Sequence, residues 1–364
     1  MAARVITGDH RDPPEIYHIA GSIRQFLALF YCVSNRQSDP KRDQVIMAGN
    51  QRVLRARLAD AEFFWQQDQK QRLESYVAEL QAVTFYEGLG DLHAKALRLE
   101  KLATVLAPYI AGCDAQHAGR AGLLAKADLV TGMVGEFPEL QGIIGGYYAG
   151  HDGEADSVAS AIATHYRPQG PTDDVPETPT AKAVALADKI DTLVGFFGIG
   201  AKPTGSKDPF ALRRAALGVI RIILDAELSL PLATLLQKAA ENYQFDAVDE
   251  DILPFIRDRL RVYLRDQNMR HDVVAAALAD SSGDDLCRMA DEARSLAGFL
   301  ADGDGAGLMA GWRRVSSMLS AEEKKAKKAF SATTDPSLFN DIEQRLHKAL
   351  VAVPDSNVDL LRNN

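Results

Sequence analysis

The sequence is poor in cysteine and in long apolar runs, and each shortage excludes a class of protein. Only three of its 364 residues are cysteines, at Cys32, Cys113 and Cys287. They form no Cys-X-X-Cys pair, which excludes a zinc ribbon or a disulfide framework, so we expect three small buried side chains. No run approaches the roughly 18 unbroken apolar residues of a membrane-spanning helix, and no signal peptide is recognisable at the N-terminus. These features predict a cytoplasmic protein that does not contact membranes.

Positive charge is also in short supply. Acidic residues outnumber lysine and arginine by 50 to 41, and the net charge of −9 excludes a protein that coats nucleic acid regardless of sequence. A local basic face can still bind RNA on an acidic protein. The basic residues fall into three groups, each equally compatible with the solvated face of a helix: Arg52, Arg55 and Arg57; Lys202, Lys207, Arg213, Arg214 and Arg221; Arg257, Arg259, Arg261 and Arg265.

The common catalytic sequence motifs are absent. There is no phosphate-binding GxxxxGK[ST] loop, no HExxH or GxSxG motif, and no Cys/His spacing typical of zinc sites. The glycines of Gly142-Ile143-Ile144-Gly145-Gly146 favour a close crossing of two helices over a cofactor loop. We therefore expect no cofactor on this chain.

Strand-like alternation is scarce, and the spacing of apolar residues predicts a mainly α fold. Long helices are predicted at Leu92 to Ile110, Ala118 to Val134 and Ala181 to Phe197. Asp208 and Pro209 supply an N-cap and a first-turn proline for a further helix. Loops and composition divide the chain into a short mixed N-terminal segment with linking helices (1–85), a helical domain (86–235) and a second helical domain (236–364).

The order of certain residues resembles the HD superfamily of metal-dependent phosphohydrolases. There, a first histidine, a His-Asp pair after two leucines and a late aspartate in a Leu-Ala-Asp helix bind divalent metal, which activates water on a phosphate ester. The corresponding residues here are His93, Ala125, Lys126 and Asp188. Alanine has no ligand atom and lysine adds positive charge, so His93 and Asp188 alone cannot close a metal site, whereas Lys126 can pair with Asp188. We expect a degenerate HD-like domain without metal; a working phosphohydrolase is the alternative.

Long ungapped stretches resemble the beta subunit of the bacterial two-subunit glycyl-tRNA synthetase. They are Ala48 to Phe64, Lys126 to Gly142, Tyr147 to Glu154, His165 to Pro168 and Ala187 to Gly218. The resemblance is good from Ser34 to Leu230 and weaker towards the end. A full beta subunit is far longer, so the chain resembles a fragment that lacks much of the N-terminal portion and the C-terminal end. Its first 25 or so residues do not match.

The resemblance implies a division of labour between two subunits. In this family the alpha subunit holds the site for glycine and ATP, and the complete enzyme uses ATP and Mg²⁺. The beta subunit supplies tRNA-binding domains, including a metal-free HD-like domain and a helical anticodon-binding domain. The expected partners are therefore the alpha subunit and glycine tRNA, without DNA. The resemblance implies that this chain is part of a glycine-tRNA ligase and is not catalytic by itself.

If the chain binds tRNA, arginine and lysine side chains should contact the phosphates. The candidates lie in a basic loop, at the helix start that follows it and on a later helix: Lys202, Lys207, Arg213, Arg214, Arg257, Arg261 and Arg265. The last three have i, i+4 spacing and are predicted to share one helix face. Salt bridges from Arg213 or Arg214 to Asp191 or Asp208 are an equal alternative. Trp312 is expected to pack in the core.

Overall fold

The computed structural model describes residues 2–7, 29–34, 39–243, 245, 249–279, 283–329 and 340–351. The predicted mainly α class is confirmed. The described helices are α1 Pro40–Asp68, α2 Ser75–Glu79, α3 Leu92–Leu106, α4 Ala115–Leu124, α5 Gly132–Glu136, α6 Ile143–His151, α7 Asp156–Thr164, α8 Pro179–Gly198, α9 Leu212–Asp225, α10 Leu232–Asn242, α11 Ile252–Asp266, α12 His271–Ala279, α13 Leu286–Ala301, α14 Gly303–Ala326 and α15 Asp341–Val351.

Strands make up little of the described chain. β1 (Ala2–Thr7) pairs in parallel with β2 (Leu29–Ser34), and β3 (Thr84–Tyr86) pairs antiparallel with β4 (Gly90–Asp91). The second pair forms a small hairpin directly before α3, whose first turn is capped by the side chain of Asp91. None of the helices in the described part of the chain is long and apolar enough to cross a membrane.

Helix α8 is the central element of the helical body. The Thr178 side chain accepts a hydrogen bond from the Ala181 amide, and Pro179 occupies the first turn, so local sequence fixes where the helix begins. α8 is buried on nearly every side because it packs against α3, α4, α7, α9 and α10. Its apolar composition on most faces follows from this position, and the prediction at Ala181 to Phe197 is confirmed.

The prediction of a single helix from Ala118 to Val134 is wrong. The chain forms α4, a 3-10 turn at residues 127–130 and the short α5 instead. The Thr131 hydroxyl donates to the Asp128 carbonyl at 2.7 Å, while the Asp68 carboxylate at the end of α1 accepts from the Gly132 and Met133 amides. These bonds satisfy the first amides of α5 from a distant helix, so a new helix can begin at Gly132. The helical spacing of apolar residues runs through the break and does not reveal it.

The glycine run packs helix α6 against α7, as predicted for a close crossing. A β-carbon on Gly146 would lie 2.7 Å from Ala163 Cβ and 2.8 Å from the Ala159 carbonyl oxygen. No side chain larger than hydrogen fits at that distance without moving one helix.

Helices α9 and α11 bring the later part of the chain against α8. One buried hydrophobic cluster extends from Leu73 to Ala293 and so includes residues on both sides of position 235. The division of the chain at 85 and 235 stays a prediction. Trp312 on α14 is 55% exposed, so its predicted place in the core is wrong. α14 packs against α13 only along part of its length, which leaves the indole outside.

Candidate nucleic-acid interface and the buried ionic cluster

A cluster of charged side chains lies inside the helical body, around two aspartates of α8. Asp188 and Asp191 are three residues apart and therefore project from the same side of the helix. Lys126 follows the end of α4, and Lys95 and Arg98 project from α3. All five side chains are almost completely shielded from solvent. Buried charges of this kind are tolerated only when each one is paired.

Asp188 is held between two ammonium groups. Lys126 Nζ lies 3.1 Å from Asp188 Oδ2, and Lys95 Nζ lies 3.0 Å from Asp188 Oδ1, the second contact being an ion pair without hydrogen-bond angles. Burial by itself would raise the pKa of Asp188, but the two lysines hold that pKa well below its usual range. The carboxylate is therefore ionised.

His165 completes the environment of Lys126. Its Nδ1 lies 2.6 Å from the Ile162 carbonyl oxygen, and its Nε2 lies 2.8 Å from Lys126 Nζ. A carbonyl can only accept, so Nδ1 carries the proton and Nε2 accepts from the ammonium group. Burial and the nearby lysine charge lower the pKa of His165 well below its usual value, which keeps the ring neutral.

Asp191 links α3 and α8 to the end of α10. Lys95 Nζ lies 2.9 Å and Arg98 Nε lies 2.8 Å from its carboxylate oxygens. The Tyr243 hydroxyl, directly after α10, donates to Asp191 Oδ2 at 3.0 Å, and the Arg98 guanidinium lies over the Tyr243 ring, 3.9 Å from its centre. The cluster therefore ties four helices together through charge-assisted bonds.

These residues do not fit a divalent metal. Two of the predicted degenerate positions, Lys126 and Asp188, come together, and Ala125 is buried beside them at the end of α4. His93 is half-exposed, and Lys95 is the α3 residue that contacts Asp188. Both oxygens of Asp188 face ammonium groups, where a metal would need open lone pairs. Throughout the described ranges, no three His, Cys, Asp or Glu side chains are grouped to hold a metal.

Sequence reasoning missed Lys95, Arg98 and Tyr243. The signal for the first two was the three-residue spacing of basic side chains on an otherwise apolar face of α3, which matches the spacing of Asp188 and Asp191. Tyr243 carried no comparable signal, because it reaches Asp191 only through the packing of α10 against α8.

On the surface, α9 and α11 enclose a groove rich in arginine. Its lining residues are Arg213, Arg214 and Leu217 of α9 and Arg259, Val262, Tyr263 and Asp266 of α11. The Asp208 carboxylate accepts from the Leu212 and Arg213 amides at 2.8 and 2.9 Å, and so caps α9 from outside the helix. α9 begins at Leu212, later than Asp208 and Pro209 suggested. The cap fixes the backbone from which Arg213 and Arg214 project.

The predicted arginine face of α11 is not the face that borders this groove. α11 buries Ile252, Ile256, Leu260 and Leu264, so the residues on either side of that stripe point in different directions. One flank, with Arg259 and Tyr263, faces α9. The other flank carries Arg257, Arg261 and Arg265. Arg259 was therefore missed as a site residue, since the spacing alone does not tell which flank meets α9.

Several predicted basic side chains already have partners within the chain. Lys202 Nζ lies 2.7 Å from carboxylate oxygens of both Asp249 and Asp251. Arg213 donates to the Gly205 carbonyl at 2.6 Å, which differs from either salt bridge considered as an alternative. The remaining bonds run from Arg257 to the Gly283 carbonyl and from Arg261 to Asp258.

Lys207, Arg214 and Arg265 are exposed to solvent. Of the seven predicted side chains, the structure brings only Arg213 and Arg214 into the groove. The other five lie outside its lining.

The fold and these two sites define a mainly helical protein with a closed interior, in which ion pairs surround Asp188 and Asp191, and an arginine-lined groove open to solvent. The chain belongs to the glycyl-tRNA synthetase beta subunit family, whose model matches residues 15–279.

Curated relatives named glycine–tRNA ligase beta subunit agree with this assignment. The chain is 52% identical to that of Phenylobacterium zucineum over 282 residues, which is 77% of this chain and 40% of the relative. It is 46% identical to that of a Ruegeria species, over 89% of this chain and 47% of the relative, and 44% identical to that of Rhodospirillum centenum, over 98% and 50%. The chain thus spans about half the length of the relatives it matches.

Proposed function

We propose that this chain is a tRNA-holding part of a glycyl-tRNA synthetase beta subunit and supports ATP-dependent ligation of glycine to its tRNA. In this proposal an alpha subunit binds ATP and Mg²⁺ and catalyses the ligation, and this chain is not catalytic alone. The observation that carries the proposal is the arginine-lined groove between α9 and α11 in a member of this family. We further propose that residues 86–235 form a metal-free HD-like domain and residues 236–364 an anticodon-binding-type domain.

The groove has the chemistry that an RNA backbone needs. Three of its seven lining residues are arginines, and Asp266 is the only acidic one among them. Guanidinium groups bind phosphate oxygens through two parallel hydrogen bonds, and the Tyr263 ring offers a surface for a base or ribose. Arg214 is the most accessible of the three arginines, since Arg213 and Arg259 are only partly exposed and also bind the Gly205 carbonyl and the Asp258 carboxylate.

The five predicted basic side chains outside the groove differ in whether they are free to contact a phosphate. Lys207 and Arg265 are exposed and extend the proposed phosphate-binding surface beyond the groove. Lys202, Arg257 and Arg261 lie outside the groove lining and are held by partners within the chain, so we assign them a supporting role for the surrounding segments.

Binding of glycine tRNA tests this proposal. We expect the double substitution Arg214→Ala with Arg259→Ala to weaken binding about tenfold at moderate ionic strength, because two guanidinium groups that neutralise phosphates are removed. A matched control is Arg288→Ala with Arg294→Ala, which removes two exposed arginines of α13 that have acidic partners on their own helix. Equal affinities of the two double variants would contradict the proposal, and circular dichroism checks that both are folded.

A further inference from the structure

Helix α6 exposes an apolar and aromatic face that the described chain covers only at one edge, where Trp65 lies. Ile143, Tyr147 and His151 are four residues apart and lie along one side of the helix. Ile143 is 45% exposed and Tyr147 is 63% exposed. Trp65 of α1 meets the Tyr147 ring edge-on at 6.3 Å between ring centres, which leaves a face of the tyrosine open. Exposed aromatic faces of this kind mark binding surfaces more often than isolated apolar residues do.

The opposite side of α6 is fixed by unusually close contacts. Gly145 and Gly146 pack against α7 without room for a β-carbon. The Asp128 carboxylate accepts from the Gly142 and Gly145 amides at 2.5 and 3.2 Å, and the Tyr148 hydroxyl donates to Asp68 at 2.9 Å. Tyr147 therefore projects from a backbone that is held in place on both sides of it, which lowers the entropy cost of binding a ligand.

The accessible charge at the C-terminal end of this face is positive. Arg72, with a side chain 61% exposed, lies 3.3 Å from the Asp152 carbonyl oxygen, beside the end of α6, and Lys70 is exposed two residues earlier. The neighbouring carboxylates are largely buried: Asp152 accepts from the Leu73 amide at 2.6 Å, and Glu154 binds Arg120 at 2.6 Å and lies 4.0 Å from Arg72. An anionic ligand is therefore attracted to this end of the face.

We propose that the α6 face, formed by Ile143, Tyr147 and His151 with Trp65 at its edge, stacks an unpaired base of the bound tRNA. The inference rests on the proposed function and assigns a second contact to the same RNA. Unpaired RNA bases stack on aromatic side chains, while adjacent cations contact the phosphates. Here Tyr147 provides the stacking surface, and Arg72 and Lys70 lie where the neighbouring phosphates pass.

Substitution of Tyr147 separates stacking from charge. We expect Tyr147→Ala to weaken binding of glycine tRNA by roughly 5- to 100-fold, the range for loss of one stacked base. Tyr147→Phe keeps the ring and should bind within about twofold of the wild type. Tyr109→Ala, which removes a 40% exposed tyrosine after α3, is the matched control and should have no effect. The salt dependence of binding should stay that of the wild type, since every phosphate-binding side chain is kept.

Trp65 provides an optical signal at the same place. The chain has two tryptophans, so Trp312→Phe leaves Trp65 as the only one. We expect a single-stranded oligoribonucleotide to quench its fluorescence and a duplex of equal length to do so weakly, because paired bases are already stacked.

The outcomes distinguish this inference from the function on which it rests. If Tyr147→Ala binds tRNA like the wild type while the Arg214 and Arg259 double variant is weakened, the stacking site is wrong and the groove stands. If Tyr147→Ala instead loses an added alpha subunit and keeps its tRNA affinity, the face is a protein interface and the inference fails. If the wild-type chain binds no tRNA at any salt concentration, both the inference and the proposed function fail.

Discussion

Asp188 is a buried carboxylate whose two oxygens each face the ammonium group of a lysine. Removing Lys126 should be costly even though Lys95 still pairs with Asp188, because Asp188 Oδ2 and His165 Nε2 would both lose their buried hydrogen-bond donor. We expect Lys126→Met to lower the free energy of unfolding by about 3–5 kcal/mol, and the added change Asp188→Asn to cost less than it does alone. Urea unfolding of the two single variants and the double variant measures this coupling. Additive effects would show that Lys126 and Asp188 do not act as a pair.

Asp128 is a second buried carboxylate, with a different electrostatic balance. Burial raises its pKa from 3.8 to about 6, although the Gly142 and Gly145 amides and Lys126 partly oppose the shift. Between about pH 4 and pH 6 the unfolded chain loses this proton before the folded protein does, so stability falls as the pH rises.

A substitution at Asp128 isolates this pH dependence. We expect the wild type to lose about 2 kcal/mol relative to Asp128→Asn between pH 4 and pH 7, because the amide cannot ionise. The measurement is the difference in unfolding free energy between the two proteins at several pH values. A difference that does not change with pH would contradict the assignment of a raised pKa to Asp128.

At the scale of the elements, α6 and α7 can cross closely because residue 146 is a glycine and has no side chain between them. We expect Gly146→Ala to lower the unfolding free energy by about 1–3 kcal/mol, since its β-carbon would meet Ala163 and the Ala159 carbonyl. Gly150→Ala is the control on the same helix, because nothing lies within 4 Å of its β-carbon, and it should be neutral or slightly stabilising. Equal destabilisation by both changes would contradict a packing role for Gly146.

Helices whose ends are fixed by residues close to them in the sequence could be predicted. α8 begins at its own Thr178 cap and Pro179, and its apolar composition shows that it is buried. The turn after α4 could not be predicted in this way, because Asp68, more than 60 residues earlier, binds the first amides of α5. Bonds between distant helices of this kind leave the local pattern unchanged.

The candidate site shows the same division between local and tertiary information. The order of residues along the chain was enough to suggest that Lys126 meets Asp188. The contribution of Arg259 to the groove depends on which flank of α11 packs towards α9, and the periodicity of α11 allows either flank. The sequence therefore predicted the buried Lys126–Asp188 pair, but it predicted only part of the groove proposed to bind RNA.

At the scale of the whole molecule, a chain with a net charge of −9 is proposed to bind a polyanion through local positive surfaces. In this proposal the groove arginines and the exposed cations beside both surfaces carry the charge-dependent part of binding, and the Tyr147 ring of the α6 face carries a part that does not depend on charge. Each part responds differently to salt, since only the neutralisation of phosphates releases counterions. The two contributions can therefore be separated in one binding experiment.

The most direct test is the affinity of the chain for glycine tRNA as a function of salt concentration. We predict that the logarithm of the association constant falls linearly with the logarithm of salt concentration. The slope should become shallower by about 1.5 for Arg214→Ala with Arg259→Ala, at roughly 0.7–0.9 for each phosphate that the protein no longer neutralises. The control Arg288→Ala with Arg294→Ala should keep the wild-type slope. Binding that is independent of salt, or a slope that the groove variant leaves unchanged, would contradict the account.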